Sequence, residues 1–135
     1  MKRNSVVPVM TKEVVYVTPN QDLLDVKHIY EKKKWHHHIP VLQDDKLVGM
    51  VSLVDFMYNI SGAGMNDDQE VYKSLKVKDI MTPKPFYLTT EASVEDVAKV
   101  LSTQYYHAVP ILEEDKLVGI VSTADIINFY LTQAV

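Results

Sequence analysis

The sequence predicts an α+β fold built from two copies of one strand–helix–strand–strand–helix unit. Residues 44–55 return as residues 114–125, and eight of the twelve positions are unchanged. Short β-branched runs alternate with longer runs in which apolar residues recur at helical spacing. In each copy, two short apolar runs flank a tight polar turn, which predicts a β-hairpin. A repeat of this length implies that both copies have the same order of elements.

The first copy begins with an apolar lead-in, residues 6–11, in which Pro8 favours a turn or a single helical turn. Val14–Thr18 is β-branched and aromatic, so a short strand is predicted. Pro and acidic residues then mark a helix start. The apolar spacing that follows predicts a helix through about Lys34.

The hairpin of the first copy is predicted from Ile39–Gln43 and Leu47–Ser52, with Pro40 on an edge or at a strand start. A helix follows from Leu53 to Ile60, and the glycines after it end the helix. The second copy repeats this order from its own lead-in, Val77–Pro83. Its predicted elements are a strand at Phe86–Thr89, a helix capped by Ser93, a hairpin of Ala108–Leu112 and Leu117–Ser122, and a last helix through Leu131. The predicted organisation is therefore residues 1–65, a linker 66–76, and residues 77–135.

Each repeated stretch ends in Ser-x-x-Asp at a helix start, at Ser52/Asp55 and Ser122/Asp125. One interpretation is structural, because this spacing is close to a capping box. The other is functional. A Ser hydroxyl and free helix N–H groups suit an anionic oxygen, and an ionised Asp suits a pair of ribose hydroxyls. Both interpretations stay open at this point.

Two glycines, Gly49 and Gly119, stand inside the predicted second strand of each hairpin. Glycine within a strand marks a bulge or the close approach of another backbone or a ligand.

The composition excludes several classes of function. The chain has 135 residues and a net charge of −4, which gives no general attraction to nucleic acid or anionic membranes. It has no Cys, which excludes disulfides, thiolate nucleophiles and Cys-based zinc sites. No signal-peptide core is present, and no apolar run approaches the ~20 residues that cross a bilayer. A cytoplasmic protein is predicted.

Three features in each copy resemble the cystathionine-β-synthase (CBS) domain, and the pair resembles a Bateman module. The first is Asp79-Ile80-Met81-Thr82-Pro83, with a weaker form at residues 8–11. The second is residues 107–112, with residues 37–42 as their twin. The third is residues 119–125, with residues 49–55 as their twin. Together they cover nearly the whole chain.

The resemblance implies tandem CBS domains packed with pseudo-twofold symmetry, two clefts between them, and a homodimer formed through helices. It also implies a regulatory role in which AMP, ADP, ATP or S-adenosylmethionine binds in the clefts and modulates a partner protein. The first cleft would be lined by Asp55 on ribose, Ser52 toward phosphate, Met50, His37, His38, Thr82, Phe86, Tyr106 and His107. The second would be lined by Asp125 on ribose, Ser122 and Thr123 toward phosphate, Ile120, Thr11, Val15, His36, His37 and His107.

The only Arg is Arg3, so phosphate charge would have to be met by His, Lys and backbone N–H groups. AMP is therefore favoured over a triphosphate. Residues 36–38 are three consecutive His; at most two of them face the same way, and no metal site is predicted. No catalytic constellation is present, so a non-enzyme without a catalytic cofactor is predicted. The alternative is an interaction or dimerisation module without nucleotide, or a metal-binding module.

Overall fold

Two β-hairpins form the centres of two small sheets in the computed structural model, which describes residues 4–32 and 37–133. In one hairpin, β1 (His38–Gln43) pairs antiparallel with β2 (Lys46–Ser52). A third strand, β3 (Thr82–Pro83), pairs with β2. β1 is the last named strand on its side of this sheet, and its outer side pairs at a single bridge, Val17 with Val41.

The second sheet contains an equivalent hairpin, but here the proline-containing strand of the hairpin is the central strand. Its strands are β4 (Leu88–Thr89), β5 (Ala108–Glu113) and β6 (Lys116–Ser122). β4 runs parallel to β5, and β5 and β6 form the hairpin. The α+β class and both hairpins predicted from the repeat are confirmed.

Helices flank both sheets. They are α1 (Leu23–Lys32), α2 (Leu53–Ile60), α3 (Val71–Ser74), α4 (Val77–Ile80), α5 (Val94–Ser102) and α6 (Thr123–Gln133). The predicted bounds of α2 are those observed. The first helix was predicted to run to about Lys34, but residues 33–36 lie outside the described part of the chain.

The chain folds into two compact units that exchange the lead-ins of the two copies. One unit is Val15–Pro85, and the other is Met1–Val14 with Phe86–Val135. The lead-in of the first copy is bound to the second hairpin: the Thr11 N–H donates to the Ile120 carbonyl at 2.9 Å, and the Ile120 N–H to the Thr11 carbonyl at 3.0 Å. The lead-in of the second copy supplies β3 to the first hairpin.

Each lead-in places a methionine against the glycine of its hairpin. A Cβ added at Gly49 would lie 3.0 Å from Met81 Cγ, and one added at Gly119 would lie 2.7 Å from Met10 Cγ. The register also slips beside each glycine, because residue 48 and its counterpart 118 have no partner across the hairpin. The close approach and the bulge predicted at Gly49 and Gly119 are both present.

Each unit has its own apolar core. In the 15–85 unit the buried cluster contains Val17, Leu23, Val26, Ile39, Val41, Val51, Phe56, Ile60, Tyr72, Val77 and Ile80. In the other unit it contains Val6, Met10, Ala92, Val94, Val97, Leu101, Val109, Ile111, Val121 and Ile126. Burial of a side chain of this size stabilises a fold by about 1.5–3 kcal/mol, so these clusters hold the hairpins and helices together.

The predicted strand at Val14–Thr18 is reduced to one bridge. Only Val17 pairs, parallel to Val41, through hydrogen bonds to the Pro40 carbonyl at 3.1 Å and from the Leu42 N–H at 2.9 Å. The β-branched composition correctly predicted an extended backbone here. A longer strand does not form because β1 pairs with this segment only at Val41.

Both hairpin turns place two acidic residues in the left-handed region. The φ angles are 49° at Glu114 and 66° at Asp115, and 51° and 66° at Asp44 and Asp45. Two-residue hairpin loops of this kind prefer Asn-Gly, because a side chain costs energy at positive φ.

Replacing Glu114→Asn together with Asp115→Gly is therefore expected to raise the free energy of unfolding by about 0.5–1 kcal/mol. Urea denaturation measures the change. Glu113→Asn is the matched control, since Glu113 is also exposed but lies in β5. A gain no larger than that of the control would contradict the strain argument.

Candidate functional site

The first Ser-x-x-Asp forms a complete capping box at the start of α2. The Asp55 N–H donates to Ser52 Oγ at 3.0 Å, and the Ser52 N–H donates to Asp55 Oδ2 at 3.3 Å. Tyr30 packs nearby and donates to the Val51 carbonyl at 3.4 Å. Burial, with the charge of Asp55 adding to it, raises the pKa of Tyr30 well above its ordinary value. Tyr30 is therefore a neutral phenol beside this carboxylate.

The second Ser-x-x-Asp has the same geometry at α6. The Asp125 N–H donates to Ser122 Oγ at 3.2 Å, and the Ser122 N–H donates to Asp125 Oδ2 at 2.9 Å. A third box, Ser93 with Asp96, starts α5 with both distances at 3.0 Å. The structural interpretation of these motifs is therefore confirmed. Because α5 has the same box, capping alone does not distinguish a ligand site.

In the 15–85 unit, several predicted site residues meet at the end of the hairpin. Met50 lies opposite Thr82, and His38 lies opposite Ser52. The backbone carbonyl of His37 accepts from the Leu53 N–H at 2.8 Å, which fixes His37 to the first residue of α2. The exchanged lead-in thus brings Thr82 to the strand that ends in the Ser52/Asp55 box.

The other unit repeats this arrangement. Thr11 pairs with Ile120, and the His107 carbonyl accepts from the Thr123 N–H at 3.2 Å. Phe86 and Tyr106 stack on each other in the same unit, with ring centroids 5.2 Å apart and planes inclined at 29°. Both rings are partly exposed, at 38% for Phe86 and 40% for Tyr106.

The predicted cleft residues divide between the two units. Of the first set, the 15–85 unit contains Asp55, Ser52, Met50, His37, His38 and Thr82, and the other unit contains Phe86, Tyr106 and His107. Of the second set, Val15 and His37 belong to the 15–85 unit, and the other unit contains Asp125, Ser122, Thr123, Ile120, Thr11 and His107. His36 lies outside the described residues. That these residues bind a ligand stays a prediction.

A groove of about 440 Å³ runs between the first lead-in and α6. Its walls are Asn4, Ser5, Pro8, Val9, Asp125, Asn128, Phe129 and Thr132. Asp125 is the one residue in these walls that had been predicted to bind a ligand. Asp125, Asn128, Phe129 and Thr132 share a helical face, because they are spaced by three or four residues. The volume falls in the range of small-molecule sites.

The chemistry of this groove is mixed. Asp125 contributes a carboxylate, and four neighbours contribute neutral amide or hydroxyl groups. Phe129, Val9 and Pro8 contribute apolar surface. A ligand with an apolar ring and hydroxyl donors suits such walls. The sequence predicted a lead-in at residues 6–11 but did not indicate that residues 4–9 line a groove, since nothing in it showed which helix the lead-in would meet.

The burial of a lysine, Lys27, in the 15–85 unit was also not predicted from the sequence. Lys27 is only 2% exposed, and its ammonium donates to Glu31 at 2.8 Å and to Asp67 at 2.7 Å. The signal available in the sequence was its position, four residues after Leu23 on the apolar face of α1. At the corresponding place in α5 the second copy has Ala98.

Large apolar side chains are exposed on one helix of each unit. On α2 they are Val54, Met57 and Tyr58, and on α6 they are Ile127, Tyr130 and Leu131. Exposed apolar groups that cluster on a helix are typical of surfaces that bind another protein. None of the helices in the described ranges has the length and apolarity that crossing a bilayer requires.

Comparison with known proteins gives a family match over both copies. The model of the family described as CBS domain matches residues 6–62 and 77–132. The uncharacterized protein MJ0188 of Methanocaldococcus jannaschii is 33% identical over 122 residues, which cover 88% of this chain and 41% of that protein. The chloroplastic CBS domain-containing protein CBSX1 of Arabidopsis thaliana is 32% identical over 112 residues, or 66% of this chain and 48% of that protein. The chain thus spans less than half the length of these two relatives.

The crystal structure of CBSX2 in complex with AMP has the same fold. Its TM-score is 0.82 at 25% identity, and the alignment covers 96% of this chain and 98% of that chain. CBSX2 is also a protein of Arabidopsis thaliana. The predicted tandem CBS architecture is confirmed by this match.

Proposed function

This chain belongs to the CBS domain family, and on that premise we propose that it is a regulatory, non-catalytic module that binds an adenosine-containing ligand. Asp125 is the proposed ribose ligand in one unit, and Asp55 is its counterpart in the other. Occupancy would change the packing of the module and thereby the activity of a partner protein.

One observation carries the proposal: Asp125 lies in the wall of a groove large enough for a small molecule. Its Oδ2 accepts the Ser122 N–H at 2.9 Å, and the described residues supply no further donor to this carboxylate. An ionised carboxylate is an acceptor only and has room for several donors. The hydroxyls of a ribose would supply them.

AMP is the first candidate among adenosine ligands. CBSX2, whose structure aligns over nearly the whole chain, was solved in complex with AMP. The described walls of the groove contain no Lys, Arg or His beside the acidic Asp125. Each additional phosphate therefore adds negative charge without a matching cation in these walls, which favours AMP over ADP and ATP.

Calorimetry and thermal shift with AMP, ADP, ATP and S-adenosylmethionine test the proposal. We expect AMP at 100 times its Kd to stabilise the protein by about 2.7 kcal/mol. Asp125→Ala removes a charged hydrogen-bond acceptor for ribose, which is worth about 1.5–3 kcal/mol, or roughly 10- to 150-fold in affinity. Asp55→Ala tests the other unit in the same way.

The matched control is Asp96→Ala. Asp96 closes a capping box of the same geometry at α5, so its removal costs a similar amount of helix stability, about 1 kcal/mol. The variant should bind AMP as the wild type does. If Asp55→Ala and Asp125→Ala both bind like this control, the ribose assignment is wrong.

A second candidate function is an interaction or dimerisation module. The exposed Val54, Met57 and Tyr58 of α2, and the exposed Ile127 and Leu131 of α6, favour contact with another protein. We propose that a second copy of the chain covers these faces in a homodimer. If none of the four ligands at millimolar concentration gives heat or a shift in Tm, this function replaces ligand sensing.

A further inference from the structure

The segment from the end of α2 through α3, residues 61–74, overlaps the linker predicted at residues 66–76 and is called the linker from here on. It is fastened to α1 at one carboxylate. Asp67 Oδ1 accepts from the Lys27 ammonium at 2.7 Å, and Asp67 Oδ2 lies 2.9 Å from His28 Nε2. Lys27 also donates to Glu31 one turn further along α1, at 2.8 Å. A single side chain of the linker therefore contacts two consecutive side chains of the helix.

The linker has a second, apolar attachment at Tyr72. This side chain is fully buried, and its ring stacks on Phe56 of α2 with centroids 6.2 Å apart. Its hydroxyl donates to the Gly64 carbonyl at 2.8 Å, which ties the two ends of the linker together. The Lys27 ammonium lies 5.6 Å from the Tyr72 ring centroid. Lys27 therefore stands where the polar and the apolar attachments meet.

The two attachments differ in their exposure to solvent. Tyr72 and Lys27 are closed off from water, whereas the Asp67 side chain is 56% exposed. A buried ammonium is costly unless it is paired, so Lys27 requires its carboxylates. Those carboxylates are open to water and salt. The strength of the polar attachment is thus set by solution conditions.

The same cluster contains the donor set of a metal site, but its geometry favours an ion pair. Donor atoms of His28, Glu31 and Asp67 lie within 4.8 Å of one another. The Lys27 ammonium already contacts both carboxylates, so it supplies the positive charge that a metal ion would bring. The Lys27 ammonium therefore pairs with the carboxylates that a metal cation would need as ligands.

We propose that residues 61–74 form a strap that opens and closes as a local unit, and that the Lys27–Asp67 pair is its latch. Opening breaks the latch and uncovers the Tyr72 and Phe56 rings, while β1 and β2 stay folded. The strap begins where α2 ends, and α2 begins with the Ser52/Asp55 box. The element that moves is therefore connected through one short helix to a proposed ligand residue.

The response of the latch to pH follows from its groups. The contacts with Lys27 and His28 hold the pKa of Asp67 below its ordinary value. The stabilisation that the ionised Asp67 provides is therefore present at neutral pH, and it is lost as the pH falls through that lowered pKa. Asp67, and to a smaller extent Glu31, raise the pKa of Lys27. The stabilisation that the charged Lys27 provides is therefore lost only as the pH rises through that raised pKa. His28 and Glu31 are the other titratable groups in contact with the pair. The latch is closed at neutral pH and opens in acid.

Hydrogen exchange of the full chain tests the latch, read at the amides of residues 66–75. Asp67→Asn leaves the buried ammonium with Glu31 alone, and we expect about tenfold faster exchange of the strap amides. Asp68→Asn makes the same change of charge at the next residue, which is exposed, and it should leave exchange unchanged. Raising NaCl to 1 M should speed exchange in the wild type and should leave exchange unchanged in a variant that combines Lys27→Met with Asp67→Asn.

A double variant separates the latch from simple damage. Lys27→Met keeps the unbranched apolar part of the side chain and removes the buried charge. Lys27→Met with Asp67→Asn should therefore restore most of the protection lost in Asp67→Asn. Two results would overturn the proposal. One is faster exchange in Asp68→Asn equal to that in Asp67→Asn. The other is an equal acceleration in β1 and β2, which would mean that the unit unfolds as a whole.

Discussion

Replacing Tyr72→Ala is expected to destabilise the 15–85 unit by about 3–5 kcal/mol, as for other large aromatic side chains removed from a core. The ring is fully buried against Phe56, and the described structure places the Lys27 ammonium above it. Removal would leave a cavity beside a buried charge. Since domains of this size are stable by about 5–15 kcal/mol, the loss is a large fraction of the total.

Urea denaturation of two companion variants gives the scale for this result. Tyr72→Phe keeps the ring and loses only the hydrogen bond to the Gly64 carbonyl, so a loss of about 1 kcal/mol is expected. Tyr105→Ala removes a tyrosine that is 84% exposed and lies outside the proposed dimer faces, and its effect should stay within about 0.5 kcal/mol. Similar values for Tyr72→Ala and Tyr105→Ala would mean that the linker contributes nothing to the core.

The second large effect is expected at Gly119. A Cβ there would lie 2.7 Å from Met10 Cγ and 3.1 Å from the Thr11 carbonyl oxygen. That oxygen accepts the Ile120 N–H at 3.0 Å, so the backbone cannot retreat without breaking the bridge that holds the lead-in. Gly119→Ala is therefore expected to cost about 3 kcal/mol, at the upper end for overpacking.

Gly49→Ala is the internal comparison, because the repeat places the same residue in the same strand. The nearest atoms to its added Cβ all belong to the Met81 side chain, including Cγ at 3.0 Å and Cβ at 3.2 Å. A flexible side chain can move where a paired carbonyl cannot, so a smaller loss of about 1 kcal/mol is expected. Thermal unfolding of both variants decides. A greater loss for Gly49→Ala than for Gly119→Ala would refute the role of the Thr11 carbonyl.

Features that depend on neighbouring residues could be predicted from the sequence. The hairpins follow from β-branched runs around two-residue turns, and the boxes at Asp55 and Asp125 follow from their spacing to Ser. The close approach at Gly49 and Gly119 was predicted because few other causes put glycine inside a strand. What approaches, a methionine of the lead-in, could not be predicted, since that segment is distant along the chain.

The features that were missed depend on distant partners. Lys27 is buried because Asp67 meets it from forty residues further along the chain. The strand at Val14–Thr18 is limited to Val17 because β1 offers pairing only around Val41. The repeat by itself could not indicate which hairpin each lead-in joins, although the family resemblance had grouped Thr82 with Met50 and Thr11 with Ile120, as observed. Met10 and Met81 precede equivalent threonines, so either could have packed on Gly49 or on Gly119.

The exchange of lead-ins makes the duplicated halves mutually dependent. A fragment that starts after the linker would keep the β5–β6 hairpin but would lack Met10 and Thr11. Met10 packs against Gly119 of that hairpin, and Thr11 pairs with Ile120. A fragment that stops at the linker would lack Met81 and β3 in the same way. Neither half therefore contains all the residues of a complete unit. Shuffling or splitting this gene must carry each lead-in across with the opposite repeat.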